Sequence, residues 1–171
     1  IGTLAAGQWE EIQATSPEIH TGGTRGVFFA GYMNPAAYSD VISYANLDTI
    51  DFGDTLVPVN VMCGLSDRTR ACSLGGSAPV GLRSKIEFIT IASTGDGVEF
   101  GDLTQARYGS SGVSNSTRGV ILGGLVPGPT SVNTIDYITI SSTGNAQDFG
   151  DLTVARKNSG ACSDVHGGIG D

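Results

Sequence analysis

The phrase Phe-Gly-Asp recurs three times, as Phe52-Gly53-Asp54, Phe100-Gly101-Asp102 and Phe149-Gly150-Asp151, at spacings of 48 and 49 residues in a chain of 171. Self-similarity at a fixed period of about fifty residues restricts a chain to arrays of like supersecondary units, each burying its faces against its neighbours. A second phrase, Thr24-Arg25-Gly26, Thr69-Arg70-Ala71 and Thr117-Arg118-Gly119, keeps the same period. From Phe52 to Arg70 and from Phe100 to Arg118 the offset is 18 residues both times, so the variation in length falls between each Arg and the Phe that follows it.

Each unit reads as short strands. After Thr-Arg come Val27-Phe28-Phe29, Cys72-Ser73-Leu74 and Val120-Ile121-Leu122, ended by the small pairs Ala30-Gly31, Gly75-Gly76 and Gly123-Gly124. An apolar run stopped by glycine suits a buried strand that a neighbouring backbone approaches closely. After a polar loop, Ile86–Ile91 and Ile135–Ile140 are rich in β-branched and aromatic residues on both faces, as expected for sheets sandwiched between sheets; Val41-Ile42-Ser43-Tyr44 is the weaker counterpart in the first unit. Turns at Ser93–Asp96 and Ser142–Asn145, each with a Gly able to take positive φ, lead to the Phe-Gly-Asp strand. A link ending in Ala106-Arg107 or Ala155-Arg156, matched to Val59-Asn60 in the first unit, precedes a small-residue strand such as Gly109–Val113. The expectation is an all-β chain of three four-stranded antiparallel repeats. An N-terminal segment over 1–19 carries an outer strand around Trp9, repeat 1 spans 20–68, repeat 2 spans 69–116, and repeat 3 with a terminal strand spans 117–171.

Composition excludes several function classes. The 26 glycines and 15% charged residues leave little room for helix. A net charge of −8 with nine scattered Lys and Arg repels a phosphate backbone, so nucleic acid is not an expected partner. No apolar run approaches the ~20 residues of a membrane-spanning helix. Cys63, Cys72 and Cys162 form no CxxC pair and read as small buried side chains, with a single Cys63–Cys72 bridge left open.

Candidates for chemistry are few. His20 and His166 lie far apart in the chain, and neither a Gly-x-Ser-x-Gly elbow nor a phosphate-binding loop occurs, so no catalytic residue and no cofactor are expected. Polar oxygens three apart recur as Asp48, Asp51, Asp54; Asp96, Glu99, Asp102; and Asn145, Asp148, Asp151. The second set is the best calcium candidate, because Gly97 and Gly101 would let the segment curl; turn capping is the favoured role, since residues three apart on a strand face opposite ways. Arg25, Arg70 and Arg118 recur once per unit and are expected to be structural, buried between units and donating to loop carbonyls, with recognition of an anionic glycan as the alternative. Phe52, Phe100 and Phe149 are expected to be buried at equivalent places between units.

The Gly pair closing one strand, the aromatic near the start of the outer strand and the Arg opening an inner one together resemble kelch-type β-propeller blades over residues 22–168, with Phe52, Phe100 and Phe149 where kelch blades usually carry Trp. The wording around Thr134–Ser141 and Asp148–Arg156 is similar to repeats in virion proteins predicted for marine and cyanobacterial tailed phages. The resemblance implies a partial propeller, or blades completed by another subunit. It also implies a non-enzymatic tail, fibre or capsid-surface protein located in the virion and suited to host attachment. Its partners would be itself or other virion proteins, with a host surface glycan as a further ligand. The competing reading is an extracellular carbohydrate-binding module or a fragment of a propeller enzyme. Three blades are fewer than a closed propeller uses, so association is expected.

Overall fold

The computed structural model of the chain describes residues 25–31, 34–43, 49–128 and 130–163. Among them are 15 strands, all paired antiparallel, and no helix. The first sheet holds β1 (Arg25–Gly31), β2 (Asn34–Ser43) and β3 (Thr49–Asp54). The second has β4 (Cys63–Ser66), β5 (Arg70–Leu74), β8 (Lys85–Thr90) and β9 (Val98–Asp102), with a small hairpin of β6 (Ser77–Ala78) and β7 (Gly81–Leu82) inserted between β5 and β8. The third repeats this with β10 (Ser111–Ser114), β11 (Arg118–Leu122), β14 (Thr134–Thr139) and β15 (Gln147–Asp151), and the hairpin β12 (Leu125–Val126) and β13 (Thr130–Ser131). Strand order is β4-β5-β8-β9 and β10-β11-β14-β15. The first sheet has three strands among the described residues rather than four, and the sheets do not close into a ring.

The length variation falls in the hairpin tips. β6 and β7 are joined by residues 79–80, β12 and β13 by residues 127–129, and β1 passes to β2 with no intervening hairpin. The Thr-Arg phrase ends a tight turn in which Asp67 Oδ1 accepts from the Thr69 and Arg70 N–H groups, and Asn115 Oδ1 from those of Thr117 and Arg118. Gly75 and Gly123 take φ of +64° and +60°, where a side chain would strike the carbonyls of Arg107 and Arg156.

A register slip recurs at one place in every unit, between Ser39 and Asp40, Ile86 and Glu87, and Ile135 and Asp136. This makes Asp40, Glu87 and Asp136 structural equivalents. It also corrects the alignment of the links: Asn60 bridges to Ser77 as Tyr108 bridges to Leu125, so the counterpart of Arg107 is Val59, not Asn60.

The core lies between sheets. Phe52, Ala71 and Ile89 pack between the first and second, with Val27, Phe29 and Ile91 against them; Cys72, Leu74, Ile86, Phe100 and Ile121 pack between the second and third. Phe52 and Phe100 are 3% and 4% exposed, but Phe149 is 55% exposed, contrary to the expectation that the three are equivalent. The cause is position: Phe52 and Phe100 are each covered by the sheet that follows, whereas Phe149 is met by Tyr137, edge to face, and by the Arg118 guanidinium, both of its own sheet.

Truncation should therefore separate the two aromatics. Phe100→Ala is expected to cost ~3–5 kcal/mol and Phe149→Ala about 1 kcal/mol or less, read by denaturant unfolding of the dilute chain. Equal losses would contradict the packing described.

Candidate functional site at the joints between repeats

Adjacent sheets are tied by one set of bonds made twice. The turn before each fourth strand reaches back to the Phe-Gly-Asp strand of the preceding unit: Gly95 N–H donates to the Phe52 carbonyl (2.9 Å) and Gly97 N–H to that of Asp54 (2.7 Å), as Gly144 N–H does to Phe100 (2.8 Å) and Ala146 N–H to Asp102 (2.8 Å). Side chains complete the match, since Asp96 Oδ1 accepts the Asp54 N–H at 3.0 Å and Asn145 Oδ1 accepts the Asp102 N–H at 3.0 Å. The middle glycine of Phe-Gly-Asp follows from this: a Cβ on Gly53 or Gly101 would collide with the Gly95 or Gly144 carbonyl.

Deeper in each joint sits a buried carboxylate. Asp136 accepts from the Thr104 N–H (3.1 Å) and hydroxyl (2.8 Å), and Arg107 Nη2 stands 2.9 Å from Asp136 Oδ2, with both side chains fully buried. Glu87 accepts the Leu56 N–H at 2.7 Å, in the same geometry, but its cation is Arg83 of its own unit at 3.5 Å. Repeat positions explain the exchange. Val59 stands where Arg107 does and Val132 where Arg83 does, so each joint holds one guanidinium, delivered from opposite sides. Burial lowers the Arg107 pKa, and the Asp136 charge opposes that shift.

The arginines singled out by sequence have a related but shallower role. Arg25 Nη1 donates to the Ile91 carbonyl (2.8 Å) and Arg70 Nη1 to that of Ile140 (2.9 Å), each crossing to the following unit. Arg70 lies over the Phe88 ring at 4.5 Å and Arg118 over Tyr137 at 4.7 Å. Each crossing bond reaches a single carbonyl, and Arg25 and Arg118 are exposed rather than buried. The buried cation is Arg107. Neither it nor the acids Glu87 and Asp136 stood out in the sequence, although an acid inside Ile-Glu-Phe-Ile and Ile-Asp-Tyr-Ile at one repeat position was the available signal.

The calcium candidates do not converge. Asp96 caps the preceding unit, Glu99 pairs with Lys85 at 2.5 Å, and Asp102 takes Lys85 at 3.2 Å and the Ser84 hydroxyl at 2.8 Å. The Ser84 bond, then Lys85, holds the Asp102 carboxyl below its usual pKa. Among the described residues no group of three or more His, Cys, Asp or Glu is placed to hold a metal. His20, His166, Trp9 and Asp48 lie outside the described residues. The three thiols are free: Cys63 and Cys72 are buried and Cys162 is exposed. Burial pushes the Cys63 and Cys72 thiols up to about 12.

No family model matches the chain, and no curated protein matches it.

Two predictions follow from this geometry. Arg107→Ala strands the Asp136 charge and is expected to cost ~3–5 kcal/mol, whereas Arg107→Val with Val132→Arg, which rebuilds the arrangement of the first joint, should recover more than half of that in denaturant unfolding. A thiol reagent at about pH 8, the range of an ordinary thiol, is expected to modify Cys162 in the folded chain. Cys63 and Cys72, protonated until far higher pH and shielded, should react only as fast as the chain unfolds. Modification of all three at one rate would contradict the burial.

Proposed function

We propose that the chain is a non-enzymatic structural protein of a phage virion, a tail, fibre or capsid-surface component that acts through surfaces presented by kelch-like repeats and takes part in host attachment. The observation that supports this most directly is where the recurring polar residues are used. Arg25, Arg70, Asp96, Asn145, Glu87, Asp136 and Arg107 all serve bonds between neighbouring units, so the residues the repeats share work for assembly of the array. A catalytic set, by contrast, is needed once per protein and breaks the symmetry of its repeats. The kelch-like phrases and their likeness to virion repeats supply the particle context. Partners on this reading are further copies or other virion proteins, with a host surface glycan as ligand.

The test is made on the particle. Mass spectrometry of purified virions should find the chain at a fixed stoichiometry, and imaging should show it in a symmetric array. Particles of constant infectivity without it would overturn the reading, as would release of reducing sugar from a polysaccharide by the pure protein that disappears in His20→Ala or His166→Ala.

A further inference from the structure

The two joints share their outer contacts and differ in the link that crosses beneath them. Each link runs between two fixed points. Residues 55–59 lie between Asp54, whose carbonyl takes the Gly97 N–H, and Asn60, bridged to Ser77; residues 103–107 lie between Asp102, whose carbonyl takes the Ala146 N–H, and Tyr108, bridged to Leu125.

The second link is sewn to the third unit by side chains. Thr104 gives both its N–H and its hydroxyl to Asp136, Gln105 Nε2 donates to the Thr134 hydroxyl at 3.0 Å, and Arg107 is paired with Asp136. In the first link the same positions hold Leu56, Val57 and Val59, and Lys85 stands where Thr134 does. None of those three side chains can form a hydrogen bond, and Lys85 turns to Glu99 and Asp102 of its own sheet. Among the described residues one hydrogen bond, from the Leu56 N–H to Glu87, therefore ties this link to the second unit.

The exchange leaves a gap. Leu56, Val57 and Pro58 of the link and Ala78, Pro79 and Val80 of the β6–β7 hairpin line a cavity of about 480 Å3. Leu56 and Val57 are exposed and Val80 stands almost wholly in solvent, so little apolar burial takes the place of the missing bonds. The free energy of a local opening is set by the bonds and buried contacts that it breaks, and at the first link these are few.

We infer that the first joint is hinged: link 55–59 swings away from the second unit about the outer contacts at Phe52 and Asp54, while link 103–107 stays closed and holds the second unit to the third. The array then has one compliant joint and one stiff joint, although the repeat phrases flanking them are the same. The motion lies within a single chain, and the inference stands apart from the virion reading.

Amide hydrogen exchange on the 171-residue chain, followed residue by residue by NMR, reads both links at equivalent positions. The Leu56 N–H should be protected about tenfold less, or lower still, than the Thr104 N–H. Bond length alone gives the opposite order, since the Leu56 bond is 2.7 Å and the Thr104 bond 3.1 Å. The Gly95 and Gly97 amides, which make the outer contacts of the first joint, should stay protected to within about threefold of Gly144 and Ala146, which make those of the second. Val57→Gln with Lys85→Thr, which transplants the Gln105–Thr134 bond into the first joint, should raise Leu56 protection about fivefold, and Gln105→Val should lower Thr104 protection by a similar factor. Unchanged exchange at Gly95 and Gly97 shows that each variant keeps its fold. Leu56 protected as well as Thr104 in the parent, Gly95 and Gly97 exchanging as fast as Leu56, or a transplanted pair that leaves Leu56 unchanged in a folded variant would overturn the hinge.

Discussion

A carboxylate held out of water between two sheets must be met by donors on every side, and the way this is done at Glu87 and Asp136 organises the array. The acid sits at a bulge, where the slipped register leaves the strand free to depart from its ladder. Its first donor is a backbone N–H from the link of the preceding unit, at Leu56 or Thr104, a segment that belongs to no sheet. Beside it stands a guanidinium: Arg83 Nη1 donates to Glu87 at 3.5 Å, and Arg107 Nη2 lies 2.9 Å from Asp136 as an ion pair without a hydrogen bond, so the Arg107 nitrogens are buried unpartnered. Because an unpaired buried charge is costly, the Thr104 and Arg107 contacts to Asp136 hold the second unit against the third, whereas at the first joint the bond that crosses is the Leu56 N–H to Glu87.

That constraint explains why the repeats are alike in some positions and exchange residues in others. The joint requires one cation but not a particular source, so Arg83 serves the first joint beside Val59, and Arg107 serves the second beside Val132. The outer part of each joint has no such freedom. Backbone meets backbone at Gly95 and Phe52 and at Gly144 and Phe100, and this close approach keeps Phe-Gly-Asp constant through the chain.

The same logic divides the interior of the array from its ends. The second sheet is covered on both faces and buries Cys72, Leu74, Ile86 and Phe100; among the described residues Phe28 of the first sheet and Phe149 of the third stand in the open. Large aromatics at these two positions are costly on a monomer in water and useful at a contact. The function proposed here, assembly and attachment through surfaces, draws on this asymmetry.

The period, the all-β character and the strand runs of the second and third units were legible in the sequence, because alternation of side chains and glycine-bounded turns are local properties of the chain. The location of the length change between Arg and Phe was legible too, though not that it lies in a small hairpin's tip. What the sequence did not reveal was depth. Arg118 and Arg70 read alike, as do Phe149 and Phe100, and Arg107 looked like the end of a polar link, since exposure depends on which unit comes next in space. Only the tertiary structure decided that Arg107 and Asp136 are buried together, that Glu87 takes its cation from Arg83, and that Asp96 caps the preceding unit while Glu99 and Asp102 share Lys85. A contact between residues 29 positions apart, such as Arg107 and Asp136, is set by how sheets stack, and no local pattern records it.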